Sequence, residues 1–143
     1  MGFSTSGATV IIFVGVLIAA GIAYPVFQTA SENRSAAIDD RDDRALAMRN
    51  TAIDVAAWRY NESGNENFTM DVTNTGSTVL SIPETDLLID GVYRQSYETS
   101  VGGSPVRELW QPGETLTVTI STDRPNRVKI VTEHGIAETI TGV

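Results

Sequence analysis

The chain has 143 residues, a formal net charge of −8 at pH 7 and no cysteine. Without cysteine there are no disulfides, zinc thiolate sites or thiol catalysis, and the acidic balance argues against nucleic acid or an anionic lipid surface as a partner. Its ten basic residues are nine arginines and a single lysine, Lys129. An acidic chain with so little lysine is more typical of a protein adapted to very high salt than of an ordinary acidic extracellular domain.

An unbroken apolar segment runs from Ala8 to Phe27, after the short N-terminal segment 1–7, and no charged side chain precedes Glu32. About twenty residues at ~1.5 Å each form a helix of roughly 30 Å, the thickness of a bilayer's hydrocarbon core. The segment lacks the basic N-terminal flank of a secretory signal peptide. It is also longer than the apolar core of a typical signal peptide. We therefore predict a retained transmembrane helix over residues 8–28, loosened or kinked near Pro25.

The next segment, residues 29–50, is rich in charge and compatible with a helix. Its bulky apolar residues are too sparse for a coiled-coil seam, so we predict an exposed helical stalk. The acidic cluster from Asp39 to Asp43 lacks the alternating ligands and the glycine of a calcium loop. We interpret that cluster as a solvated face and predict no metal site there.

From Thr51 onward apolar residues alternate with polar ones, which is typical of half-buried strands. The predicted strands are 51–60, 67–73, 80–82, 87–89, 92–93, 115–121, 128–132 and 136–140. Turns at Asp90-Gly91 and His134-Gly135 predict hairpins, and the Gly/Ser-rich stretch 100–105 is expected to be a loop. Seven or eight short strands with close turns predict an immunoglobulin-like antiparallel β-sandwich over residues 51–143.

The alternation also predicts which side chains enter the core. In the first strand, Ile53, Val55 and Ala57 are expected on one face. Trp58 and Trp110 are expected in the core or at its edge, because large aromatic side chains are normally buried; a sugar-binding platform is the alternative.

The sequence contains no recognisable catalytic, cofactor or metal motif. Its one histidine, His134, lies in a predicted turn without a second histidine or a cysteine, which is a poor ligand set for a metal. A nucleophile elbow, a phosphate loop and a dinucleotide fingerprint are all missing. We therefore predict a structural or binding module that is not an enzyme and needs no cofactor.

Three Asn-x-Ser/Thr sequons occur in the polar part of the chain, at Asn33, Asn61 and Asn67. They are candidate N-glycosylation sites, and glycosylation takes place on external domains. The positive-inside rule gives little here, because no basic residue precedes the apolar segment. We therefore predict that the N-terminus is inside and the β domain outside.

Three segments carry a resemblance to a known family. They are the Met1-Gly2-Phe3-Ser4 start that leads into the apolar helix, the stretch from Asp71 to Leu80 continuing to Thr85–Gly91, and the corner Trp110–Leu116. Together they resemble the haloarchaeal archaellum accessory proteins of the FlaF (ArlF) family, over essentially the whole chain.

The resemblance implies a non-catalytic part of the archaeal motility motor. Members of that family carry a membrane helix and an external β-sandwich, which can form a homodimer and bind the S-layer glycoprotein. They are thought to act as stator elements, alongside FlaG-type archaellum proteins. An edge strand of the sandwich is the contact we expect, since its unpaired backbone groups can extend a sheet into a partner.

The alternative is a filament subunit, either an archaellin or a type IV pilin-like protein, whose N-terminal helices bundle into a filament core. Precursors of such proteins usually carry basic residues before a processing glycine. Gly2 and Gly7 have no Lys or Arg ahead of them, and the apolar segment has no early carboxylate of the bacterial pilin type. Both departures favour the stator hypothesis.

Overall fold

The computed structural model describes residues 2–62 and 66–143, with side chains from Ser6 onward. One helix, α1 (Gly2–Asn50), is followed by an antiparallel β domain. The chain divides into two compact units, which meet between Asp43 and Arg44, so the last turns of α1 belong to the same unit as the strands.

Helix α1 continues through Pro25 as one helical element, and the kink expected near that residue stays a prediction. A proline removes one backbone hydrogen bond, and its ring crowds the carbonyl four residues earlier. Here that earlier residue is Gly21, whose flexible backbone can adjust around the ring. The apolar half of α1 is exposed on all sides, and by length and composition it could cross a membrane. A helix that is apolar all round requires an apolar environment.

In its described residues the β domain has ten strands, all paired antiparallel. They are β1 (Ile53–Asn61), β2 (Asn67–Asn74), β3 (Leu80–Ser81), β4 (Asp86–Ile89), β5 (Val92–Arg94), β6 (Glu98–Val101), β7 (Leu109–Trp110), β8 (Thr115–Ser121), β9 (Arg127–Val131) and β10 (Ala137–Thr141). Sheet I has the order β1-β2-β8-β6, and sheet II has the order β10-β9-β4-β5. A two-stranded ribbon joins β3 to β7.

The hydrophobic core lies between the two sheets. It consists of Ile53, Phe68, Met70, Val72, Leu80, Ile82, Leu87, Ile89, Val101, Trp110, Leu116, Val118, Ile120, Val128, Ile130 and Val143. Alternate residues of β2 and β8 point inward from sheet I, and alternate residues of β4 and β9 do so from sheet II. The domain is therefore an immunoglobulin-like antiparallel β-sandwich, as the sequence pattern predicted.

Strand β6 is absent from the sequence prediction. Ser100 and Val101, expected in a loop, pair with Thr117 and Leu116 of β8, and Val101 is fully buried. The strand is only four residues long and stops at Gly102, so its own alternation is too short to recognise. The strand is defined by its long-range pairing with β8.

A β-bulge in β1 changes which side chains face the core. The register shifts between Val55 and Ala57, after which Trp58 lies opposite the buried Met70 and Ala57 lies on the exposed face. A shift of one residue moves every later side chain to the other face, so the predicted inward position of Ala57 is wrong. Trp58 remains 41% exposed on this edge strand, whereas Trp110 is fully buried.

Candidate functional site: the junction between the helix and the β-sandwich

Two of the segments singled out in the sequence meet where α1 enters the sandwich. We call this region the junction; it consists of residues 47–52, the turn 74–78 and the corner 107–114. At its centre lies Asn74, whose side chain is completely buried. Asn74 Nδ2 donates to the carbonyl oxygens of Thr78 (2.8 Å) and Trp110 (3.4 Å), and its Oδ1 accepts the Gly76 N–H (3.1 Å).

The backbone of Asn74 also joins the two segments. Its N–H donates to the Glu114 carbonyl at 3.0 Å, and its own carbonyl accepts the Gly113 N–H at 2.8 Å. A buried amide costs free energy unless its hydrogen-bonding groups are satisfied. At Asn74 both the side chain and the backbone have partners, so this one residue ties the turn 74–78 to the corner 107–114.

The C-terminal end of α1 is tied to the same turn. The Ser77 N–H donates to the Asn50 carbonyl at 2.8 Å, and the N–H groups of Thr75 and Gly76 both donate to the Ala52 carbonyl at 2.9 Å. Carbonyls at a helix C-terminus have no partner within the helix and need one from outside. The turn after β2 supplies it, which couples the helix end to sheet I.

Gly76 allows this close approach. A Cβ atom at position 76 would lie 2.4 Å from the Asn50 carbonyl oxygen and 2.6 Å from the Ala52 nitrogen. Both are backbone atoms, which cannot move aside as the end of a flexible side chain can. The junction therefore requires glycine at this position for steric reasons.

An ion pair holds the corner in place. Two guanidinium nitrogens of Arg107 donate to the Glu114 carboxylate at 2.5 and 2.9 Å, and the Gln111 N–H donates to it at 2.7 Å. The Arg107 hydrogen bond, together with the Gln111 N–H, holds the pKa of Glu114 below its usual range. The corner itself is closed by a hydrogen bond from the Glu114 N–H to the Gln111 carbonyl at 3.0 Å.

These contacts connect elements and bring no reactive groups together. Across residues 2–62 and 66–143, no three His, Cys, Asp or Glu side chains are placed to hold a metal ion. His134 lies at a hairpin tip, with its Nε2 3.6 Å from the Glu133 carboxylate, and that carboxylate accepts the Ser81 N–H at 3.1 Å. His134 therefore lies beside the hydrogen bond between Glu133 and Ser81, which is a structural contact.

The sequons lie in different environments. Asn33 is exposed on α1, and Asn61 is exposed at the end of β1, directly opposite Asn67. Asn67 is half-buried, and its Oδ1 accepts a hydrogen bond from the Ser121 hydroxyl at 2.7 Å. The third residue of the Asn61 sequon, Ser63, falls outside the described residues. Glycosylation at all three positions stays a prediction.

The sequence indicates the two turns of the junction but not the contact between them. The Asn-x-Gly pattern of residues 74–76 and the Trp-x-Pro-Gly pattern of residues 110–113 each indicate a tight turn. Neither pattern shows that the two turns share a buried asparagine or that the first one receives the end of α1. Gly76 does not have a positive φ, so the turn itself does not require glycine there, but this is visible only in the structure.

Comparison with known proteins gives a family and several structural likenesses, of which two are described. The archaellum periplasmic stator protein FlaG from Sulfolobus acidocaldarius is similar at a TM-score of 0.46 and 16% identity, over 64% of this chain and 99% of that one. The stator protein complex FlaF and FlaG from the same organism is similar at a TM-score of 0.44 and 15% identity, over 63% of this chain and 87% of that one. No curated protein matches the chain significantly.

The family model described as archaeal-type flagellin matches residues 2–142. That range includes the apolar half of α1, the stalk, the junction and the whole sandwich. The chain therefore belongs to the archaeal-type flagellin family and is an archaellum-related protein.

Proposed function

We propose that the protein is a non-catalytic structural component of the archaellum motor that acts in a stator role. In this proposal residues 8–28 lie in the cell membrane, the stalk 29–50 extends away from it, and the sandwich outside binds the S-layer glycoprotein. The proposal rests on one observation above the others, the distribution of charge around the stalk.

Charged side chains surround the stalk. Asp39 to Arg44 are six consecutive charged residues, all exposed on a continuous helix. At about 100° per residue, six consecutive positions point in every direction around the axis. Packing this segment into a filament core would bury unpaired charges and set aspartates of neighbouring copies against one another. The stalk is therefore suited to a helix in water between a membrane and an external domain.

The junction supports the same role. A stator has to transmit force between its membrane helix and its external domain. The end of α1 is bound by the turn 74–78, and Asn74 connects that turn to the residue preceding β8, a central strand of sheet I. A force on the helix would thus pass into paired strands, because no flexible linker intervenes.

The second candidate is a filament subunit, which the description of the matching family model favours. The apolar half of α1, exposed on all sides, could equally pack against the helices of other copies. The two candidates differ in what they require of the stalk. A filament core would have to accommodate the charges of residues 39–44, whereas a membrane anchor leaves them in water.

Cell fractionation followed by mass spectrometry of the N-terminus separates the two functions. We expect the protein in the detergent-extracted membrane fraction, with an N-terminus that is intact or lacks only Met1. An archaellin from the same cells marks the sheared filaments and the S-layer glycoprotein marks the envelope. Recovery from sheared filaments with a shortened N-terminus would establish the filament subunit instead.

Binding to the S-layer is tested separately with the purified full chain in detergent. We expect S-layer glycoprotein immobilised on beads to retain it at the salt concentration of the growth medium. An unrelated membrane protein with a similarly acidic domain serves as the control for charge. Equal retention of both proteins would contradict specific binding.

A further inference from the structure

The basic residues of the β domain fall into two groups. Within the described part of residues 51–143, three of the six form ion pairs: Arg59 with Asp71, Arg107 with Glu114, and Arg124 with Glu62. The other three form none there, and they all lie in sheet II: Arg94 on β5, and Arg127 and Lys129 on β9. The cations without an acidic partner are thus concentrated in one sheet.

Two of these cations lie on the outer face of sheet II beside apolar side chains. Lys129 is directly opposite Leu88, and Leu88 is directly opposite Tyr93, so the three share one face. Arg127 lies on the same face, two residues from Lys129 along β9. Leu88, Arg127 and Lys129 help to line a shallow hollow of about 280 Å³, and Tyr93 is 52% exposed. We call Leu88, Tyr93, Arg127 and Lys129 the basic face.

The basic face lies toward the end of the sandwich that is opposite the junction. β1 starts at the junction with Ile53 and ends at Asn61, which pairs with Asn67, and Asn67 in turn pairs with Ser121 at the end of β8. The chain turns from there into β9, which begins at Arg127. The start of β9 therefore lies at the end of the sandwich that is far from the junction.

Two carboxylates lie near this face, and within the described residues neither forms an ion pair with Arg127 or Lys129. Asp90, in the adjacent turn, uses its carboxylate to accept the backbone N–H groups of Asn126 (3.1 Å) and Arg127 (2.9 Å). Asp86 is on the same face but two residues from Leu88, beside Val131. Residues 51–143 carry thirteen acidic and six basic side chains, so an acidic partner is repelled by most of the domain and attracted here.

We propose that the basic face is the docking surface for an acidic polypeptide segment of a different envelope protein. This inference rests on the proposed stator role and names the chemistry of its partner. Exposed Tyr and Arg beside an aliphatic side chain are typical of the centre of a protein interface. A symmetric contact between two copies through this face would set Arg127 and Lys129 against their own equivalents, which disfavours a second copy as the occupant.

The single lysine of the chain makes a direct test possible. A zero-length carbodiimide joins an amine to a carboxylate that already contacts it, with loss of water, so it can couple Lys129 to an Asp or Glu of the partner. We expect intact cell envelopes treated in this way to yield a Lys129 peptide joined to an acidic peptide of another protein. Peptide mapping separates that product from any product of the N-terminal amine.

Three variants complete the experiment. Lys129→Arg keeps the charge but removes the amine, so we expect the cross-link to disappear. The double variant Arg127→Glu with Lys129→Glu reverses the charge, so we expect swimming to be lost. Arg59→Glu reverses one charge on sheet I, where Arg59 is 68% exposed, and should swim normally.

Several outcomes would overturn the proposal: cross-links only within the chain, to a second copy or to a glycan, or normal swimming of the double variant. The fractionation experiment reports on the stator role independently. If the protein is found in filaments, the stator role fails. If it is found in the membrane but Lys129 has no acidic protein partner, only the assignment of the basic face fails.

Discussion

Gly76 is the residue at which the helix and the sandwich come closest, and its role is steric. An alanine there would place its Cβ 2.4 Å from the Asn50 carbonyl oxygen, so the turn or the helix end would have to move. We expect Gly76→Ala to lower the free energy of unfolding by about 1–3 kcal/mol, the usual cost of overpacking. Thermal unfolding, followed by the fluorescence of the buried Trp110, measures this change in stability.

Gly15 provides the matched control, because a Cβ atom there would meet no atom within 4 Å. Alanine is also a better helix former than glycine, by about 1 kcal/mol. Gly15→Ala should therefore leave the unfolding of the sandwich unchanged. Equal stability of Gly76→Ala and the wild type would show that the turn can relax, and the steric account of the junction would be abandoned.

Glu114 gives the junction a dependence on pH. Its pKa is lowered in the folded protein by the hydrogen bond from Arg107, while in the unfolded chain it is near the ordinary value of 4.5. A lowered pKa means that the carboxylate stabilises the fold above pH 4.5 and that this contribution is lost as the pH falls further. Glu114→Gln should therefore be less stable than the wild type at pH 7, and the difference should disappear in acid.

The measurement is the unfolding midpoint of both proteins between pH 7 and pH 3. Arg107→Gln removes the other partner and should flatten the same part of the curve. A difference between wild type and Glu114→Gln that stays constant over the whole range would mean that the charge of Glu114 is not responsible.

At the scale of elements, α1 combines two segments of different chemistry in one helix. Its first half is apolar on all sides, and the segment from Asp39 to Arg44 is charged on all sides. The sequence predicted both halves, because the composition of a helix surface depends on local residues alone. It left open a break at Pro25, and α1 passes through that residue as one helical element.

If the stalk acts as a spacer, its length matters more than its sequence. Deleting residues 36–42 removes two turns, about 10 Å at 1.5 Å per residue, and keeps nearly the same helix face. We expect this variant to reach the membrane but to lose swimming in soft agar. Replacing the same seven residues with an Ala/Glu/Lys helix-forming sequence of equal length should restore it. Normal swimming of the deletion variant would exclude a spacer role.

The strands show which part of the sandwich is predictable from sequence. β8 alternates over seven residues and was recognised directly, with Leu116, Val118 and Ile120 inward. β6 was missed, because its four residues are defined by pairing with β8 rather than by their own pattern. The bulge in β1 was missed for a similar reason, since the register with β2 decides where the extra residue falls.

At the scale of the whole molecule, the boundary between compact units falls inside the helix. The unit that contains the sandwich begins at Arg44, and the carbonyls of Asn50 and Ala52 accept N–H groups of the turn 74–78. A fragment that starts at Arg44 should therefore be more stable than one that starts at Ile53, by about 1–3 kcal/mol for the two or three hydrogen bonds lost. Chemical denaturation followed by circular dichroism compares the two. Equal stabilities would show that the helix end contributes nothing to the fold.

The sequence by itself determined the membrane-length apolar helix, the charged stalk and the alternation that builds the sandwich. Each of these follows from residues close together in the chain, because hydrophobic periodicity and length are local properties. Tertiary structure decided the junction and the basic face. Asn74 meets Trp110, and Lys129 meets Leu88, across more than thirty residues. Such contacts depend on strand register and turn geometry, which no local pattern encodes.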